Sequence, residues 1–113
     1  MKLYHNNRCS KSRCALDWLQ ENNFDFEVVE YLKTPPTKAE LKAILTQLGK
    51  QPSELVRKSE EEYKLYIKDK QLSEEEILDI MLQFPKLIER PIVVWDNNAV
   101  LARPLELLIE KLK

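Results

Sequence analysis

Cys9 and a small set of cations carry the chemistry that can be read from this chain. The cysteine lies in Tyr4-His5-Asn6-Asn7-Arg8-Cys9-Ser10-Lys11-Ser12-Arg13, where an apolar strand pattern gives way to a helical one. The start of a helix presents unpaired backbone N–H groups and the positive end of the helix dipole. That field favours thiolate over thiol, and the thiolate is the nucleophile. Arg8, Lys11 and Arg13 bring further positive charge to the same stretch. Arg57, Arg90 and Arg103 stand at element boundaries: after Leu55-Val56, before Pro91 and before Pro104. A guanidinium fork donates paired hydrogen bonds to a tetrahedral oxyanion and keeps its charge at any working pH. One activated thiol facing these arginines would hold a multiply charged oxyanion for attack.

Two further residues leave alternatives open. His5 either closes a strand or orders and tunes the thiol loop, since a protonated imidazole lowers a thiol pKa. Cys14 lies five residues beyond Cys9, about 8 Å along a helix at 1.5 Å per residue, which exceeds the reach of a disulfide. It is read as a core residue on or near the face of Ala15 and Trp18; a resolving role requires the first helical turn to unwind. The runs Glu60-Glu61-Glu62 and Glu74-Glu75-Glu76 read as solvated helix faces.

The elements that must position these groups follow from the pattern. Residues 1–5 read as a strand, and Ser10 as the cap of a helix running to about Asn22. Phe24 to Tyr31 carries the aromatic and β-branched residues of a second strand. Thr37 with Glu40 is a capping-box pattern ahead of Leu41, Ile44, Leu45 and Leu48, and Gly49 ends that helix. Residues 52–83 read as helices in short pieces, the last starting at Ser73 with Ile77, Ile80, Met81 and Phe84 inward. Ile92–Trp95 is a buried strand, Asp96-Asn97-Asn98 a hairpin turn, Ala99–Ala102 the return strand and Leu105–Leu112 a final helix after Pro104. The order β-α-β, helices, β-β-α suits an α/β thioredoxin-like fold with a small mixed four-stranded sheet. One domain over residues 1–113 is expected, with a helical insertion at about 50–85. In such a fold Cys9 starts the first helix, Pro91 takes the cis-proline position, and Arg103 converges on the same sheet edge.

Composition sets outer bounds. The chain has 113 residues, 43% hydrophobic and 33% charged, which suits a soluble globular protein. A net charge of −1 argues against bulk binding to DNA or RNA. No apolar run approaches the roughly 20 residues that span a bilayer, and no signal-peptide pattern opens the chain. Two cysteines are too few for a disulfide framework, so a reducing, cytoplasmic setting is expected. The single glycine, Gly49, leaves no phosphate-cradling glycine loop.

The stretches His5-Asn6-x-x-Cys9-x-x-Ser12-Arg13, Tyr31-Leu32-x-Thr34-Pro35-Pro36-Thr37, Leu55-Val56-Arg57-Lys58, Leu87-Ile88-x-Arg90-Pro91-Ile92-Val93 and Arg103-Pro104 span almost the whole chain. With them the chain resembles the arsenate reductases of the glutathione- and glutaredoxin-coupled type and their Spx- and YffB-like relatives. The resemblance implies a catalytic Cys9 supported by His5, and arsenate held by Arg57, Arg90 and Arg103. It implies glutathione as reducing cosubstrate, glutaredoxin as partner, and neither a metal nor a tightly bound cofactor. Two departures stand out: Asn7-Arg8, where the family usually has proline and a small residue, and Cys14. Two other readings keep the fold: a glutathione-dependent thiol reductase without arsenate activity, and an Spx-like redox regulator that binds RNA polymerase. The absence of a C-x-x-C pair and the complete arginine set weigh against the regulator.

Overall fold

The computed structural model describes residues 1–112. In chain order its elements are β1 (Lys2–Tyr4), α1 (Ser10–Glu21), β2 (Glu27–Val29), α2 (Lys38–Leu48), α3 (Pro52–Leu55), α4 (Glu61–Tyr66), α5 (Glu74–Gln83), a 3-10 turn (Pro85–Leu87), β3 (Ile92–Trp95), β4 (Asn98–Leu101) and α6 (Glu106–Leu112). They fall into two compact units: residues 1–34 with those from Arg90 onward, and Pro35–Glu89.

The first unit holds the whole sheet, in the order β2-β1-β3-β4. β1 and β2 run parallel, joined through α1, while β1–β3 and β3–β4 are antiparallel. This is the mixed α/β, thioredoxin-like arrangement expected from the sequence. β3 has the expected bounds, Ile92–Trp95, but β2 is confined to Glu27–Val29, where Phe24–Tyr31 is expected. Phe24 and Phe26 are spent on packing, and Phe24 stacks on Trp18 at 5.6 Å. The Asp96-Asn97 turn forms with Asp96 at φ 49°, and Trp95 pairs with Asn98, so β4 starts one residue early.

Leu3, Val93, Val100 and Ala102 present one apolar face, against which α1 lays Ala15 and Leu19 and α6 lays Leu108. Leu3, Ala15, Leu19, Val93 and Leu108 are wholly buried. Ser12 shares the buried stripe of α1 and Cys14 does not. The expectation of a core Cys14 is therefore corrected: it is exposed, one position off the stripe that Ala15 and Leu19 define.

The second unit is helical and begins at Pro35, and within it α2 packs on α5. α2, α3 and α5 start as the sequence predicts. Thr37 and Glu40 close a capping box on α2, Ser73 and Glu76 another on α5, and Gly49 ends α2 at φ 69°. On α5, Ile77, Leu78 and Met81 are buried, while the expected inward Ile80 and Phe84 are only half-buried. Lys38 bridges Glu75 and Asp79 across α2 and α5, at 2.7 and 2.9 Å. Among the described residues no helix is long and apolar enough to cross a membrane.

Leu19 anchors α1 on the sheet from full burial. Leu19→Ala should lower unfolding stability by about 2–5 kcal/mol in urea titration. A loss below about 0.5 kcal/mol, typical of a surface site, would contradict this core assignment.

Candidate active site

Register brings the site together. Tyr4 pairs with Ile92, and Ile92 with Leu101. The exit of β1, the entry of β3 and the exit of β4 therefore lie at one end of the sheet. Backbone bonds continue the ladder past the strands, from His5 N–H to the Val29 carbonyl and from Ala102 N–H to the Pro91 carbonyl, both 2.9 Å. The Cys9 loop, Arg90 and Arg103 emerge at that end. Both arginines precede cis-prolines, Pro91 and Pro104.

The loop between β1 and α1 is a hydrogen-bonded turn. Cys9 N–H donates to the Asn6 carbonyl at 3.0 Å, and Arg8 N–H donates to Asn6 Oδ1 at 3.0 Å. Arg13 Nη1 donates to the Asn7 carbonyl at 3.0 Å, so this cation holds the loop from outside. Ser10 was expected to cap α1; instead Cys9 is the N-cap residue, with φ −94° and ψ 122°. The strand-to-helix junction thus falls on the sulfur itself, and the helix places no acidic residue in its first turn.

Sequence reasoning picked out His5, and missed Ser12 as its partner. His5 and Ser12 are buried, 3% and 0% exposed. Ser12 Oγ accepts from Asn6 N–H at 3.0 Å and shares a 2.6 Å hydrogen bond with His5 Nδ1. His5 Nε2 lies 3.4 Å from Asn7 Oδ1. A hydroxyl both accepts and donates, so Ser12 can receive the Asn6 proton while giving its own to the imidazole. His5 thereby braces the loop through Ser12 and Asn7, as a positioning residue. The missed signal was a serine on the buried stripe of α1, a place where a polar group needs partners.

Around the half-buried sulfur the charges converge. Arg103 Nη1 lies 3.8 Å from Cys9 Sγ and donates to the Arg90 carbonyl at 3.2 Å. Arg90 is buried, 8% exposed. Burial alone would push the Cys9 thiol up; the Ser12 backbone N–H, the Arg90 side chain, the Lys11 backbone N–H and the charge on Arg90 overturn this, and the thiol titrates below its ordinary value. Cys9, Arg90 and Arg103 are thus one cluster.

Arg57 belongs to the second unit. Its guanidinium lies among carboxylates: Nη1 donates to Glu89 Oε1 at 3.1 Å and Nε sits 3.4 Å from Glu60 Oε1. Its backbone N–H donates to the Leu87 carbonyl, beside a Val56–Ile88 bridge.

The ArsC family model matches residues 4–109. The uncharacterized protein YfgD of Escherichia coli K12 is 47% identical over 97% of this chain and 94% of its own length. An arsenate reductase of Neisseria meningitidis (strain MC58) is 42% identical over 94% of this chain and 92% of its own length. The solved structure of an arsenate reductase from Vibrio cholerae superposes with a TM-score of 0.90 at 42% identity, covering 97% of each chain.

The lowered Cys9 pKa has a measurable sign. Thiolate persists to lower pH in the folded chain than in the unfolded one. Its stabilising contribution is present above the unfolded thiol pKa and is lost as pH falls through the folded value. Iodoacetamide labelling of Cys9, resolved by peptide mass, should show a lower midpoint in the folded chain than in the chain unfolded in urea. Ser12→Ala should raise the midpoint and lower stability by about 1–3 kcal/mol, since Asn6 N–H loses its acceptor. A folded midpoint equal to the unfolded one would remove the case for an activated thiol.

Proposed function

The chain belongs to the ArsC family, and on that premise we propose that it is an arsenate reductase with Cys9 as nucleophile. The observation that carries the reading is the Arg103–Cys9 approach of 3.8 Å beside buried Arg90, a thiolate already facing fixed positive charge. Arg90 and Arg103 neutralise the incoming oxyanion and keep two negative species from repelling each other. Arg57 enters the proposal as the third anion-holding arginine on the strength of the sequence resemblance.

In the first step the Cys9 thiolate attacks arsenic. An S–As bond forms, and one arsenate oxygen leaves as water after taking up two protons. Arsenic remains pentavalent. Fixed guanidinium and N–H dipoles hold the growing charge at little reorganisation cost. In the second step a glutathione thiolate attacks Cys9 Sγ. The S–S bond forms, the S–As electron pair leaves with arsenic, and arsenite departs. Two thiols have lost two electrons in total and arsenic has gained them. Glutaredoxin then reduces the Cys9–glutathione disulfide by thiol exchange and returns the thiolate. Exposed Cys14 has no part in this cycle.

Cys9→Ser should abolish arsenite formation with glutathione and glutaredoxin, and Cys14→Ser should keep most of it. Arg57→Ala, Arg90→Ala and Arg103→Ala should each lower kcat/KM roughly tenfold to hundredfold, from the 1.5–3 kcal/mol of a hydrogen bond to a charged group. Lysine should restore only part of each loss, because it keeps the charge without the fork. If all three alanine variants fold and reduce arsenate at the parent rate, the oxyanion triad is wrong.

A further inference from the structure

A pocket of about 320 Å³ opens beside the thiol loop, in the first unit. His5, Asn6, Asn7 and Arg8 line it from one stretch of the chain, and Glu30, Leu32 and Lys33 from another. Cys9 follows directly on Arg8, and adjacent Cα atoms are about 3.8 Å apart. The attack on arsenic draws on Cys9, Arg90 and Arg103 and leaves this pocket unused.

Its charge pattern is specific. Two cations, Arg8 and Lys33, stand with one carboxylate, Glu30. Lys33 Nζ lies 3.7 Å from Glu30 Oε2, with the two side chains 77% and 50% exposed. An ion pair this exposed and this long holds its partners weakly, so both are available to a ligand. Asn7 lines the pocket, and its Oδ1 lies 3.4 Å from His5 Nε2, so its amide nitrogen is the group it has to offer a ligand. Leu32 offers an apolar surface, 44% exposed. The complementary ligand carries two carboxylates and one ammonium on a peptide backbone. A tripeptide spans about 10 Å when extended, long enough to lie in the pocket and turn a central side chain past Arg8 to Cys9.

We propose that this pocket is the donor-thiol site and binds glutathione as a zwitterionic tripeptide. Arg8 and Lys33 take its carboxylates, Glu30 its ammonium, and Asn7 a peptide carbonyl. The assignment rests on the reading of the chain as a glutathione-coupled reductase, and none of the arginines that hold the anion lines the pocket. The Asn7-Arg8 dipeptide, where the family usually has proline and a small residue, supplies an amide and a cation to this pocket.

The test uses S-methylglutathione, which has the charges but no reactive thiol, titrated into the full chain and followed by amide chemical shifts. Shifts should cluster at Asn7, Arg8, Glu30, Leu32 and Lys33. Arg8→Ala and Lys33→Ala alter exposed side chains, so both should fold, and each should weaken binding about tenfold. Glu30→Gln should weaken S-methylglutathione but not its N-acetyl derivative, which lacks the ammonium. Shifts confined elsewhere, affinities indifferent to both cation variants, or displacement of the probe by arsenate would each overturn the assignment. Arsenite formation by the unaltered chain, measured in parallel, separates the two readings. Turnover with a probe indifferent to the variants removes the pocket and leaves the reductase. Variant-sensitive binding without turnover removes the reductase and leaves the pocket.

Discussion

Tyr4, Ile92 and Leu101 lie in one row across the sheet, and the cluster around Cys9 exists only while that row holds. The three residues that approach one another, Cys9, Arg90 and Arg103, are up to 94 positions apart in the chain. They meet because β1 ends where β3 begins and β4 ends. A one-residue slip would turn Leu3, Val93 and Val100 away from α1 and α6, so the apolar core enforces the register. The same burial that stabilises the unit thus sets the geometry of the sulfur.

On top of that frame, the thiol is governed by backbone as much as by side chains. Burial opposes ionisation of Cys9, and the N–H groups of Ser12 and Lys11 with Arg90 reverse the balance. Their aim depends on Ser12, whose hydroxyl joins Asn6 N–H and the His5 ring inside the protein. His5 therefore acts at one remove: it fixes the serine, the serine fixes the turn, and the turn points the helix start at the sulfur. Arg57 shows a different balance. Glu60 and Glu89 already neutralise much of its charge, so any anion it grips must compete with two carboxylates.

Much of this was legible from residue order, and the failures have physical causes. The Thr37–Glu40 capping box, the Gly49 stop, the Asp96-Asn97 turn and the β-α-β, β-β-α order follow from local chemistry that sequence states directly. The length of β2 did not, because Phe24 and Phe26 have strand-forming side chains that tertiary packing claims for the core. Cys14 was placed in the core because a helical stripe has a width that spacing alone leaves loose; one position decided it. Ser12 was visible as part of a motif but not as a partner, since its role needs His5 brought beside α1 by the chain reversal after β1. Of the carboxylates around Arg57, Glu60 is a local neighbour three residues on, but Glu89 comes beside it through the Val56–Ile88 bridge.

The start of α1 differs from those of α2 and α5. α2 and α5 each open with a hydroxyl and an acid that answer the exposed N–H groups, whereas α1 opens on Cys9 with no acid in its first turn. For a protein engineer this makes α1 a trap. Aspartate or serine at position 9, or glutamate at Ser10 or Lys11, belongs to the ordinary repertoire of helix stabilisation. Each would quiet the field that keeps the sulfur ionised, or remove the sulfur altogether. A screen that selects on melting temperature alone would therefore drift toward a sturdier and inert chain, and the incomplete cap on α1 is a stability deficit that selection for reactivity has to retain.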